Sequence, residues 1–191
     1  MIYRSIRRLT PPSVEPVSVS MARQHLRVDD DTDNLYIASL ISVAREMAEV
    51  ELDRTLLTTR WQMKLDGFPA GDIRLPRPPM SLIQTSVVVS YVPSDGTVAT
   101  LPSSEYRVDN ASTPGVIRPL YSGTWPTYLN DANSVTVTWW AGYGDDGGQV
   151  PAVIKNAMLL ILTELYENRG TAKFPEAAKT LLAAAKWGSY E

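Results

Sequence analysis

The stretch from Ser134 to Gly170, SVTVTWWAGYGDDGGQVPAVIKNAMLLILTELYENRG, decides how the chain is built. Val135, Val137 and Trp139 alternate with threonines, the period-two signature of a strand with one face in a core. Beyond Pro151 the alternation stops. An apolar run follows in which only Lys155, Thr163 and Glu167 form a narrow polar stripe. Such a helix is apolar almost all round and must pack on both sides, in a core or against another subunit. Pro151 fits its first position, where a missing N–H is harmless, and Gly170 ends it. A strand therefore feeds a helix through one glycine-rich turn.

That turn, GYGDDGGQVP, holds Gly142, Gly144 and Gly147 at the G-x-G-x-x-G spacing. A dinucleotide loop needs its helix to begin at the last glycine, so that the first amides face the pyrophosphate. Here Gly148, Gln149 and Val150 intervene, and Asp145 and Asp146 would set two negative charges beside the phosphates. No βαβ unit or ribose-binding acid follows. A structural turn is the better reading, and a nucleotide-binding enzyme acting through Gly142–Gly147 is the distant alternative. Just upstream, Trp139 and Trp140 are adjacent in a strand and so point to opposite faces. Trp140 is predicted to face a second layer or a partner.

Working toward the N-terminus, period-two segments recur. Trp61, Met63 and Leu65 alternate with polar residues, Thr85 to Val92 is β-branched, and Asp95-Gly96 marks a hairpin turn. SSEYRVDNASTPGVIRP reads as two further short strands, giving about six in all. Strands this short and proline-punctuated predict antiparallel pairing. LPRPPM (Leu75 to Met80) contains a P-x-x-P spacing and reads as a stiff connection between strands.

The first part of the chain has helical spacing instead. Ser18 is placed to cap a short helix, SVSMARQHLRV, which the acidic turn DDDTDN ends. A long helix follows with Asp31 as its expected N-cap. Ile37, Leu40, Ile41, Ala44, Met47 and Ala48 form its buried stripe, and Arg45 and Glu49 fall one turn apart on the expected wet side. Residues 1–15, with Arg4, Arg7 and Arg8 ahead of Pro11 and Pro12, read as an extended arm.

Composition bounds the function. The 191 residues are long enough for a real core, carry a formal net charge of −3 and contain no cysteine. Nothing drives the chain as a whole toward nucleic acid or acidic membranes, and thiolate chemistry is excluded. The opening MIYRSIRRLTPP has no signal-peptide h-region, and the longest apolar run, Ala157 to Leu162, is far short of the ~20 residues a membrane span needs. A soluble protein is expected. Asp29, Asp31 and Asp33 imitate the start of an EF-hand loop, but Asn34 stands where the turn glycine belongs and Leu40 where the bidentate glutamate belongs. His25 is the only histidine, so a histidine metal site or a Ser–His–Asp triad has nothing but that one side chain to build from, and His25 reads as a structural residue. No cofactor and no catalytic residue is predicted.

Several segments, in order, resemble the head–tail connector (adaptor) proteins of long-tailed phages and prophages. They are PVSVSMARQHLRVDDDTDNLYIASLISVAREMAEVELDRTL (Pro16 to Leu56), LPRPPM, AGYG…VPAVIKNAMLLILTELYENRG (Ala141 to Gly170) and the closing LLAAAKWG. The A-x-x-H-L-R of Ala22–Arg27, an acidic turn, a long helix and a GYG…VP turn into the next helix carry the likeness. The resemblance implies a non-enzymatic subunit forming a ring beneath the portal, dodecameric there, and linking the DNA-filled capsid to the neck and tail. Its implied partners are the portal protein, a stopper or tail-completion protein, further copies of itself, and DNA passing transiently through the lumen; no membrane is involved. The implied location is the head–tail junction of a virion, the protein being made in the bacterial cytoplasm. A stopper or tail-completion protein is the alternative within the same class.

The expectation is thus an α+β chain: a small helical bundle interrupted by a β-rich antiparallel insertion, with a C-terminal amphipathic segment. The boundaries are 1–15 for the arm, 16–54 plus 151–169 for the bundle, 55–150 for the insertion, and 170–191 for a portal-docking tail. Phe174, Leu181, Leu182 and Trp187 are the expected portal-docking face. Met158, Ile161, Leu162, Leu165 and Trp140 are expected in the bundle core or a subunit interface.

Overall fold

A computed structural model describes residues 5–82, 86–120 and 123–186. The chain divides into two compact units, and each is discontinuous in sequence. One comprises Met1–Pro11 and Thr58–Gly142, the other Pro12–Leu57 and Tyr143–Glu191.

The first is a β unit. Its five-stranded sheet has the order β1 (Ser5–Thr10), β2 (Thr59–Leu65), β8 (Val135–Ala141), β4 (Val88–Tyr91), β5 (Ala99–Thr100). A three-stranded sheet has the order β3 (Ile73–Arg74), β7 (Val116–Pro119), β6 (Tyr106–Asp109). All pairings are antiparallel, as the short, turn-rich segments predict. Strand β2 alternates buried and half-buried residues along its whole length, and its register places Trp61 opposite Trp139 and Met63 opposite Val137. These side chains, with Leu65, Val89, Val135, Ile73 and Ile117, make the unit's core. Phe68 stacks on Trp125 at 4.9 Å between ring centroids and meets Tyr128 edge-on. The β4–β5 hairpin turns at Asp95-Gly96, where Gly96 has φ +80°. Thr85, expected to open β4, lies outside the described residues.

The stretch expected to be an extended N-terminal arm contains β1, the edge strand of the larger sheet. Ser5 to Arg8 pair with Lys64 to Trp61, and a bulge shifts the register before Thr10. Ile6 and Leu9, three residues apart among arginines, do not make the period-two pattern of a strand. Its partner β2 supplies the order.

The second is a helical unit of α1 (Val19–Leu26), α2 (Asn34–Leu52), α3 (Ala152–Glu167) and α4 (Glu176–Lys186). Ser18 caps α1, its hydroxyl accepting the Met21 N–H at 3.1 Å. The residue before α2 is Asp33, not Asp31, and its carboxylate does not cap the helix. It accepts instead the Tyr166 hydroxyl at 2.5 Å, which holds the start of α2 to the end of α3 and raises the tyrosine's pKa. Helix α3 contacts α1, α2 and α4, so its nearly all-round apolar surface is satisfied inside its own chain. Helix α4 belongs to this bundle: Ala178 and Leu182 are fully buried in its core.

Candidate assembly surface

The glycine turn has the geometry of a structural corner. Gly142, at φ +131°, donates its N–H to Pro79 O in the β unit; the next residue, Tyr143, donates to Leu56 O in the helical unit. Asp146 then caps a single 3-10 turn through its own side chain, accepting the Gly148 N–H at 2.6 Å, while the Gln149 side chain accepts the Asp146 N–H at 3.1 Å. The amides of Asp146, Gly148, Gln149 and Val150 are thus taken by the loop's own residues, and α3 starts only at Ala152. Gly147 is required by close approach: a Cβ there would lie 2.8 Å from the Glu15 carbonyl oxygen and 2.9 Å from that of Pro16. Among the described residues no cluster of three or more His, Asp or Glu could hold a metal ion.

Chemistry of another kind is concentrated on α2. Arg45 and Glu49, expected on the wet side, are only 5% and 4% exposed. The Arg45 Nε donates to Glu15 at 2.8 Å and an Nη donates to Glu49 at 3.2 Å; Glu49 also accepts the Leu56 N–H at 3.0 Å. Glu15 in turn accepts the Ser42 hydroxyl at 2.8 Å. This clasp ties the segment before α1 and the turn after α2 to the middle of α2. Burial alone would favour a neutral arginine, but Glu15, Glu49 and Glu46 outweigh it and hold the guanidinium more firmly protonated than usual. The sequence reading fails here because an i, i+4 ion pair looks the same buried or exposed; only the third partner, Glu15, makes burial tolerable.

With Arg45 and Glu49 turned inward, the outer face of α2 carries exposed apolar residues beside Ser39 and Glu46. Leu35 is 89% exposed, Val50 71% and Val43 42%. Val43, Met47 and Val50, spaced i, i+4, i+7, share one face and line a groove of about 310 Å³ together with Phe174, rimmed by Glu46 and Glu51. Met47, expected in the buried stripe, is half-buried: it packs against the helical core and also lines this groove. Helix α2 therefore has two apolar stripes: one buried against the bundle and one open to solvent. Contiguous exposed apolar residues with a charged rim mark an interaction surface. Sequence reasoning missed Leu35, Val43 and Val50, although two apolar stripes on one helix were there to be counted. A larger depression, about 410 Å³, is lined by both charged and apolar residues, among them Asp72, Arg107, Arg118 and Leu120, and its Arg118 is already paired with Asp72 at 3.0 Å.

The other expected site residues divide as follows. Met158, Ile161 and Leu162 are buried in the helical core, and Leu165 packs against it half-buried. Trp140 is half-buried on the sheet face opposite Trp139, with the Arg60 guanidinium 5.8 Å from its ring. Phe174 lines the α2 groove. Leu181 is partly buried against the core. Leu182, expected on a docking face, is core: at 0% exposure it has nothing to offer a partner while α4 stays packed. Trp187 lies outside the described residues.

No family model and no curated protein matches the chain. Solved structures do. A chain in the neck of an empty GTA (gene transfer agent) particle, computed with C6 symmetry, aligns over 98% of this chain and 96% of that one, with TM-score 0.77 and 18% identity. A chain in the virion of a native gene transfer agent particle aligns over 97% and 96%, with TM-score 0.78 and 18% identity. A third, from the neck of a native particle computed with C12 symmetry, gives 98% and 96%, TM-score 0.70 and 19% identity. The α+β architecture is that of these chains.

Proposed function

We propose that the chain is a structural subunit of the neck of a phage-like particle, a head–tail connector that forms a ring beneath the portal. The observation that carries this is the match along nearly the whole length of both partners in the comparison, covering the β unit and the helical unit alike. The symmetric necks in which two of those chains are found support a ring. So does an outward apolar stripe on α2, because a ring subunit must leave surface unsatisfied until copies meet. On this reading the role is assembly, not catalysis, and the place of action is the head–tail junction of a virion.

The portal contact proposed for the C-terminal segment takes a narrower form. Leu182 anchors α4, leaving Leu181 and Phe174, both partly buried, as the described members of the expected docking set able to reach a partner. Truncating the chain after Gly170 is a poor test, since it removes buried Ala178 and Leu182 as well. The cleaner experiment co-expresses the portal protein of the same particle with the intact chain and with Leu181→Asp, and images the complexes by electron microscopy. A ring on the portal, lost or weakened in the variant, is expected. Intact protein that never associates with portal, and instead joins a stopper or tail protein, overturns the connector assignment.

A further inference from the structure

The two units carry opposite charge. The β unit has nine Lys and Arg against six Asp and Glu, a net +3; the helical unit has nine against fifteen, a net −6; together they give the −3 of the whole chain. The α2 groove lies in the acidic unit. Its apolar floor of Val43, Met47 and Val50 is flanked by Glu46, whose side chain is 58% exposed, and by Glu51, 39% exposed and met by Lys186 at 3.6 Å. The complementary surface exists on the same polypeptide. Strand β1 is the edge of its sheet and carries Arg7, Arg8 and Leu9, the leucine 37% exposed. An exposed edge with an apolar side chain directly after two cations is complementary to an acid-rimmed apolar groove.

We propose that the α2 groove of one copy receives the β1 edge of the next, with Leu9 against Val43, Met47 and Val50 and the arginines beside Glu46 and Glu51. The contact joins two different faces, so it is heterologous, and repetition around an axis closes a ring. It rests on the connector reading and supplies that reading with its subunit–subunit surface. Because the flanking pairs are solvent-exposed, the apolar contact sets most of the affinity and the charges set orientation and salt dependence.

The absence of cysteine from the chain makes the test direct, since only introduced thiols can cross-link. Leu9→Cys and Val50→Cys are purified separately, mixed at high concentration in low salt, and oxidised. Neither position is buried, so both variants are expected to fold. The expected result is a mixed Leu9–Val50 disulfide. Its yield should fall about fivefold when Glu46→Lys and Glu51→Lys are added, or when the salt is raised to about 1 M, where the screening length is about 3 Å. A disulfide from Val50→Cys alone overturns both the contact and the head-to-tail ring, because it means a symmetric dimer. Val50→Cys linking instead to Val98→Cys or Leu82→Cys, both exposed, overturns the β1 contact but leaves a ring in place. No disulfide with any of these overturns the contact, while the portal images judge the ring separately.

Discussion

Helices α2 and α3 lie against each other in one bundle, yet their apolar side chains meet different fates. Helix α3 is apolar nearly all round and is enclosed by α1, α2 and α4. Helix α2 is more polar, but it leaves Leu35, Val43 and Val50 in solvent while placing an arginine and a glutamate in the interior. The greasier helix is thus the self-sufficient one. What marks an assembly surface is not how apolar a helix is but whether its own chain has anything left to cover it, and α4 covers α3 whereas Leu35 and Val50 on the outer stripe of α2 stay largely in solvent.

The strongest way to break that contrast is to remove what fixes the rotation of α2. Arg45→Ala leaves Glu15 and Glu49 facing one another without the guanidinium, and breaking a buried pair on one side costs about 3–5 kcal/mol. A urea midpoint close to the parent's would mean that the clasp is not what holds Arg45 and Glu49 inward. Next in size comes Met158→Ala on α3, at 1% exposure, with an expected loss of about 2–5 kcal/mol from lost burial and the cavity left behind. A loss below about 1 kcal/mol would show that α3 is not sealed by its neighbours.

A smaller effect tests how the glycine turn bears on the clasp that orients α2. Gly147→Ala forces a methyl group against the backbone of Glu15 and Pro16, with an expected cost of about 1–3 kcal/mol. Since Glu15 also holds Arg45, the variant should loosen the clasp, seen as faster hydrogen exchange at the Leu56 amide that Glu49 accepts. Unchanged exchange there would separate the turn from the clasp.

Much of this was legible in the sequence. Strand periodicity at Trp61–Leu65 and Val135–Trp139, the Ser18 cap and the apolar α3 run all follow from local patterns, and the structure has them. Three features were not legible, for one physical reason. Strand β1, the inward Arg45–Glu49 pair and the packed Leu182 each depend on a partner distant in sequence: β2 for the strand, Glu15 for the ion pair, the bundle core for the leucine. Local patterning records which faces differ, not which face finds company. On α2 the pattern shows the buried stripe nearly in full, but the charges on the opposite face do not tell that Arg45 and Glu49 turn inward while Val43 and Val50 stay exposed.

The least destabilising substitution is therefore the most telling about α2. Val50 is 71% exposed, so Val50→Ser removes little burial, and surface changes of this kind shift stability by no more than about 0.5 kcal/mol. If the outer stripe serves assembly, the same change must weaken association between copies, because truncating an apolar side chain at the centre of a contact removes surface that only the partner desolvates. Urea unfolding and ring formation on the portal should thus separate: the first unchanged, the second impaired. Loss of both would place Val50 in the fold's own core, against its exposure. Loss of neither would leave α2 with a solvent-facing apolar stripe that no copy of the chain covers, and the contrast with α3 would cease to locate an interface.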